Sequence, residues 1–293
     1  MNPTATLPTP RVSILLCFLN GAEFLAEALA SIQAQTWTDW ELLLVDDGST
    51  DDSVAIAQRA TAAFASRVQL LAHPGHANCG LSASRNLALR HARGEYVALL
   101  DADDVWRPEA LTRMVALLAA TPTVAFVGGN ALRWYSWTHN PIDADQDYAP
   151  SIARFGLVSP ALLPPPQLLQ LLLQDPSASP PTCSVLLRRA WLTAVDGFVD
   201  SFRTLYEDQA LYAKLALQAP VLLTDEVWAN YRRHNNSVCA QMYGTEAEAA
   251  SRRVFLAWLE DYIAAGPFST ASAGAIEALG VSTAIASVAA VPT

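Results

Sequence analysis

The 293-residue chain reads as an α/β protein, a mostly parallel sheet flanked by helices in a single domain with a C-terminal extension. Three observations predict this. Val12 to Leu19, Trp40 to Val45 and Tyr96 to Leu100 are strand-like apolar runs of the kind buried in parallel sheets. Helical segments of crossover length separate them, which implies βαβ units. Two of the runs end abruptly in acids, Asp46-Asp47 and Asp101-Ala102-Asp103-Asp104, and in open α/β sheets ligands bind at the carboxyl ends of the strands.

Taken in order, Val12 to Leu19 is the first strand, followed by Asn20-Gly21 and an amphipathic helix over Phe24 to Gln35. Trp40 to Val45 ends at Asp46-Asp47-Gly48-Ser49, and a helix runs from about Asp51 to Ala65 with Ser49, Thr50 or Asp51 as N-cap. Val68 to Ala72 is a short strand, Gly80 to Arg90 a helix and Tyr96 to Leu100 the fourth strand. Right-handed crossovers bring Asn20, Asp46, Asp47 and the Asp101–Asp104 cluster to one edge of the sheet. Glu109 to Ala120 is helical and Val124 to Val127 is a strand before Gly128-Gly129. Residues 131–180, with Trp134, Tyr135, Trp137, many prolines and Asp143, Asp145 and Asp147, read as a loop-rich insertion. Cys183 to Arg188 is a strand, and Tyr206 to Leu217 has helical spacing, opening on Glu207-Asp208. Residues 1–10 read as a disordered polar N-terminus, and 264–293, rich in Ala, Ser and Thr, as a weakly specified, partly helical tail.

Composition narrows the function. A formal charge of −10 with only 18 Lys and Arg and no basic stripe argues against nucleic acid. Cys17, Cys79, Cys183 and Cys239 are scattered, with no Cys-x-x-Cys pair, so zinc and a disulfide framework are poorly supported, and Cys17 reads as a reduced core residue. Met1 to Pro10 lacks the features of a signal peptide, and Pro164-Pro165-Pro166 interrupts the most membrane-like stretch, 161–174. The expectation is a cytoplasmic protein, compatible with peripheral association at the inner face of the membrane.

The Asp101–Asp104 cluster has two readings by itself. It is a set of hard oxygen ligands suited to Mg²⁺ or Mn²⁺, or an acidic turn, with Asp104 as the cap of the helix after Arg107-Pro108-Glu109. Likewise Asp46 and Asp47 fit helix capping, Glu207 and Asp208 fit complements to a helix dipole, Arg85 fits a solvated helix charge and His234 a packed histidine. Trp134, Tyr135 and Trp137 suit either plain packing or the face of a sugar.

In combination these segments resemble the family 2 glycosyltransferases. Val12-Ser13-Ile14-Leu15-Leu16 with Asn20 resembles their opening strand, and Glu41-Leu-Leu-Leu-Val-Asp46-Asp47-Gly48-Ser49-Thr50-Asp51 their nucleotide-binding segment. Asn78-Cys-Gly80-Leu-Ser-Ala-Ser-Arg85-Asn86 is similar to the helix that follows, and Gly94-Glu95-Tyr96 through Asp104 to the strand carrying an Asp-x-Asp motif. Asp196-Gly197-Phe198 followed by Glu207-Asp208, and Tyr231-Arg-Arg-His234-Asn-Asn-Ser237, complete the series over roughly residues 11–240. Five motifs in order are far more specific than one.

The resemblance implies a GT-A-type, Rossmann-like fold and an inverting, metal-dependent transfer of a sugar from a nucleotide diphosphate sugar, a UDP-sugar, to a hydroxyl during cell-surface glycan or polysaccharide synthesis. It implies a nucleotide-sugar-binding half over 11–130, an acceptor-binding half over 131–240, and a C-terminal helix and tail over 241–293. Asn20, Asp46, Asp47, Arg85, Asp101, Asp103 and His234 would bind the donor, with Asp47 at the nucleobase. Asp103, Asp101 and His234 would hold Mn²⁺ or Mg²⁺, and Asp208 would be the catalytic base. Glu207, Trp134 and Trp137 would meet a glycan, lipid-linked or protein acceptor. The chain departs from the family at Cys17-Phe18-Leu19, which lacks hydroxyls for a nucleobase, and at Asp196, where the family has Gly. A nucleotide-sugar-forming nucleotidyltransferase and a non-catalytic sugar-nucleotide or glycan-binding module are the alternatives. The first normally carries a Gly-rich phosphate loop, for which Asn20-Gly21-Ala22-Glu23 is a poor match.

Overall fold

A computed structural model describes residues 11–203, 205–266 and Gly280. The expectations for residues 1–10 and for most of 264–293 lie outside them.

Along the chain run β1 (Val12–Phe18), α1 (Leu25–Gln33), β2 (Trp40–Asp46), α2 (Ser53–Thr61), β3 (Val68–Ala72), α3 (Leu81–His91), β4 (Tyr96–Leu99) and β5 (Val105–Trp106). After α4 (Ala110–Ala120) come β6 (Phe126–Trp134), α5 (Pro141–Ala144), β7 (Ala161–Leu163), α6 (Gln167–Gln174), β8 (Val185–Arg188) and α7 (Arg189–Ala194). Then follow α8 (Glu207–Ala216), β9 (Val221–Arg232), α9 (Val238–Met242) and α10 (Glu246–Ala265). One sheet of order β3-β2-β1-β4-β8-β6-β9-β5, with β7 added on β9, contains every strand. β3, β2, β1 and β4 are mutually parallel, and β6 and β9 run in the same direction, whereas β8, β5 and β7 oppose them.

The apolar runs hold the centre of the sheet because both of their faces are covered. In β1, Val12, Ile14, Leu16 and Phe18 pack with Leu25, Leu29 and Ile32 of α1 and Leu111 and Met114 of α4. Leu15 and Cys17 point the other way, into a core with Ala88 of α3, Leu168 and Leu172 of α6, Leu211 of α8 and Phe255 of α10. β2 and β4 divide their side chains in the same period of two. Gly94 marks a close approach of backbone segments: a Cβ there would lie 2.6 Å from the Ser13 nitrogen.

Two elements differ from the sequence reading. Residues 131–180 are not a loop-rich insertion throughout. β6 continues to Trp134, β7 pairs with β9, and α6 buries Leu168, Leu169, Leu172 and Leu173. The prolines 164–166, which interrupt the apolar stretch 161–174 in the sequence, precede α6, with Pro166 at its N-cap. β9, twelve residues long, was not evident in the sequence because Asp225-Glu226 breaks its apolar pattern. These acids have partners: Asp225 accepts hydrogen bonds from Ser151 and Ile152, and Glu226 from Arg113.

Candidate active site

The carboxyl ends of β1, β2 and β4 place their polar residues on one edge. Asp46 ends β2, and its Oδ1 accepts the Ser49 amide at 2.9 Å while Oδ2 meets His76 Nε2 at 2.6 Å. Asp47 is held by the start of α3: its carboxylate accepts the amides of Cys79 (2.8 Å) and Gly80 (2.9 Å). Neither acid caps α2, whose N-cap is Asp52. Asn20, in the left-handed region at φ 50°, accepts the Thr50 amide and donates its own amide to the Ser49 hydroxyl. Thus Asn20, Asp46 and Asp47 together shape the turn after β2.

The turn after β4 separates its three acids. Asp101 has both oxygens engaged, Oδ1 by Arg85 at 2.7 Å and Oδ2 by the Thr182 hydroxyl at 2.7 Å. These bonds fix Asp101 against Arg85 and leave each oxygen a lone pair in the turn that carries Asp103. Asp103 is the more exposed acid, and its Oδ2 lies 3.0 Å from His234 Nε2. Asp104 is buried, and its Oδ1 accepts the Arg232 amide at 2.9 Å. It does not cap α4, which starts at Ala110 with Glu109 at the N-cap. Burial, with Asp103 and Asp101 alongside, pushes the Asp104 pKa well above the carboxylate range.

Arg85 is not a solvated helix charge. It is buried on α3, bonded to Asp101, with Glu207 at 3.6 Å and its guanidinium 5.5 Å from the Phe198 ring centroid. Asn86 beside it brackets Gly197-Phe198, accepting the Phe198 amide and donating to the Phe198 carbonyl, while Asp196 is exposed. On the far wall, α8 begins at Glu207 after Tyr206, a buried residue in the left-handed region at φ 69°. That conformation is costly for a bulky side chain, and a stack on Phe255 of α10 (centroids 5.3 Å apart) braces it.

Glu207 and Asp208 are both half-buried. Asp208 accepts the Ser179 hydroxyl at 2.9 Å and the Gln209 amide at 2.7 Å. Burial raises its pKa, opposed first by Ser179 and then by the Gln209 amide. Glu207 is pushed up to about 8, by burial and then by Asp208, against the weaker pull of Arg85. Arg85 is closer to Asp101, so its charge is spent chiefly there. Two adjacent carboxyls whose pKa values are both raised, one of them to about 8, form a pattern typical of acid–base sites. Both acids and Asp101 line one cavity of about 500 Å³.

Among the described residues no three His, Cys, Asp or Glu side chains converge to hold an ion unaided. Asp103 and His234 nonetheless offer one carboxylate and one imidazole side by side, a partial set that a diphosphate and water would complete. Sequence reasoning did not single out Arg232, whose guanidinium sits 4.6 Å from the ring centroid of Phe24, 4.5 Å from Trp134 and 5.1 Å from Trp137 and pairs with Glu27. Its Nε donates to the Asp103 carbonyl. In the structure Trp134 and Trp137 therefore pack around a buried arginine. Thr182 and Ser179 were also missed, since isolated hydroxyls in a Pro-rich stretch carry no sequence signal.

Within this frame, the sequence profile described as glycosyl transferase family 2 matches residues 13–190, more than half of the chain. The chain belongs to that family. Staphylococcus aureus TarS 1-349 in complex with UDP-GlcNAc superposes with a TM-score of 0.61 at 19% identity, over 84% of this chain and 66% of that one. Mannosyltransferase PcManGT from Pyrobaculum calidifontis, in complex with GDP-Man and Mn²⁺, superposes with a TM-score of 0.59 at 21% identity, over 100% of this chain and 80% of that one. These family 2 likenesses establish a GT-A-type fold. An Escherichia coli relative, UDP-Glc:alpha-D-GlcNAc-diphosphoundecaprenol beta-1,3-glucosyltransferase, is 31% identical over 119 residues, 41% of this chain and 45% of its own. The chain spans less than half the length of several curated relatives it matches. Among the described residues no helix is long and apolar enough to cross a membrane.

Proposed function

We propose that this chain is an inverting glycosyltransferase of polysaccharide or glycan synthesis, moving a sugar from a UDP-sugar to an acceptor hydroxyl. The observation that carries the reading is Asp208: a half-buried carboxylate with a raised pKa, fixed by Ser179 and the Gln209 amide, in the same cavity as the turn that follows β4. Inversion needs one base, on the face away from the leaving nucleotide, to take the acceptor's proton as its oxygen attacks. Asp208 is that base. Its two hydrogen bonds aim it, while desolvation raises its pKa and strengthens its hold on a proton. Glu207, protonated at neutral pH, adds no second negative charge to the pocket. Arg85, anchored by Asp101, contributes positive charge on the donor side. Asn20, Asp46 and Asp47 hold the nucleoside edge, with Asp47 toward the base.

Asp103 and His234 hold the cation, Mn²⁺ or Mg²⁺. When bound, it acts as a Lewis acid that neutralises charge on the departing diphosphate. The UDP-GlcNAc complex of TarS supports uridine as the nucleoside, and the Mn²⁺ complex of PcManGT supports the metal. The E. coli relative's name supports a lipid-linked or glycan acceptor. The chain then works as an enzyme at the cytoplasmic side of a membrane where such acceptors are built.

The test is Asp208→Asn. Turnover should fall by about 10²- to 10⁴-fold, the usual worth of a general base, with UDP-sugar affinity within about twofold of the parent. Near-normal turnover would remove Asp208 from the mechanism.

A further inference from the structure

Two guanidiniums in the cavity have no part in the reading above. Arg133, near the end of β6, and Arg233, just after β9, both line the cavity that contains Glu207 and Asp208. Both lie against one ring: their guanidinium carbons are 4.8 Å and 5.6 Å from the Tyr231 centroid. Among the described residues, neither forms an ion pair.

The acids of the same cavity are all engaged elsewhere. Asp101 is taken by Arg85 and Thr182, Asp208 by Ser179 and the Gln209 amide, and Glu207 faces Arg85. Asp175 accepts the Ser177 amide and Glu248 the Gly244 amide. A protein with 28 acidic and 18 basic residues thus keeps two cations uncompensated in one half-buried place. Guanidiniums held against an aromatic face lose little freedom on binding and present their N–H forks to an oxyanion.

We propose that Arg133 and Arg233 form an oxyanion subsite on the acceptor side of this cavity, and that the acceptor carries a phosphate group near the hydroxyl to be glycosylated. The inference rests on the glycosyltransferase reading and supplies the class of its acceptor. Two forks suit a phosphate, with several oxygens and up to two negative charges; one fork is enough for a carboxylate. The donor's own diphosphate is the less suitable occupant. Asp103 does not line this cavity, and Arg133 shares it with the Pro176–Thr182 wall, away from Asn20 and Asp47.

The experiment is a calorimetric titration of the full chain with inorganic phosphate at constant ionic strength, without and with saturating UDP and Mg²⁺, and acetate as the carboxylate probe. Phosphate should bind in both conditions and more tightly than acetate. Arg133→Gln and Arg233→Gln should each weaken phosphate by about tenfold and leave UDP affinity unchanged. Arg133→Lys and Arg233→Lys, which keep the charge but lose the fork, should fall between, and they carry the test if a Gln variant fails to fold. Unchanged phosphate affinity in the variants, acetate binding as tightly as phosphate, or displacement of phosphate by UDP would each overturn the subsite. Loss of UDP affinity in the variants would do so too, assigning the guanidiniums to the donor. If UDP itself fails to bind the parent protein, the UDP-sugar donor of the proposed function fails, and the titration without UDP still decides the subsite.

Discussion

Glu207 and Asp208 are consecutive in the chain, the proposed mechanism gives them different jobs, and pH should bear on both. Glu207 is raised from 4.5 to about 8, first by burial. Between those values the folded state holds a proton that the unfolded state has lost. Stability contributed by Glu207 is therefore fully present below about 4.5, declines as pH rises, and is gone above about 8. Asp208, also raised, adds a slope of the same sign. Glu207→Gln should flatten the melting temperature across that window, and an unchanged pH profile would place the perturbation elsewhere. At the donor edge, Asp103→Ala should remove most of the gain in melting temperature that Mn²⁺ with UDP confers, because binding to the native state is what raises it. Retention of the wild-type Mn²⁺-dependent shift would release Asp103 from the metal. The sequence displayed these acids because each ends an apolar run or begins a helix. It did not display which partner each acid would find: Thr182 lies 81 positions from Asp101 and Ser179 lies 29 from Asp208, and no local pattern encodes such pairings.

Elements with one clear period were legible. β1, β2, β3, β4 and α3 fall within a residue or two of their expected bounds because both faces of the central strands are apolar and the helices between them are amphipathic. β9 was not legible, since its edge-facing acids obey partners in a loop and in α4 rather than a strand period. The region 131–180 misled for the opposite reason, its prolines suggesting loop where they introduce α6. Element contacts also set tolerance to change. Gly94→Ala would drive a Cβ to 2.6 Å from the Ser13 nitrogen and 2.8 Å from its hydroxyl, at the junction of β1 and β4. Overpacking of this kind costs about 1–3 kcal/mol, measurable as a lower denaturant midpoint. A midpoint unchanged from the parent would mean that the strands part more easily than this packing suggests.

At the scale of the whole molecule, the C-terminal helix is tied to the catalytic wall. Phe255 of α10 stacks on Tyr206 and lies 6.3 Å from Phe202, so the helix that brings Glu248 to the cavity also supports the strained residue from which α8 starts. Phe255→Ala should cost about 3–5 kcal/mol of stability as a buried aromatic truncation. Below its melting temperature it should also lower turnover more than donor affinity, because the orientation of Glu207 and Asp208 depends on Tyr206. Equal effects on both would confine Phe255 to packing. The family resemblance implied a C-terminal helix within 241–293, but its long-range role exists only in three dimensions.

The Arg232 contacts carry a further consequence, which is one of time. Asp104 accepts the Arg232 amide across 128 positions, and Asp103 meets His234 across 131. Synthesis runs from the N-terminus at about 5–20 residues per second, so the acidic turn emerges several seconds before the segment that covers it. Until β9 slots between β6 and β5, that turn is a patch of neighbouring negative charge on a sheet otherwise able to assemble. The last strand to arrive thus decides when a nascent chain stops being a partly folded sheet and becomes able to bind its donor.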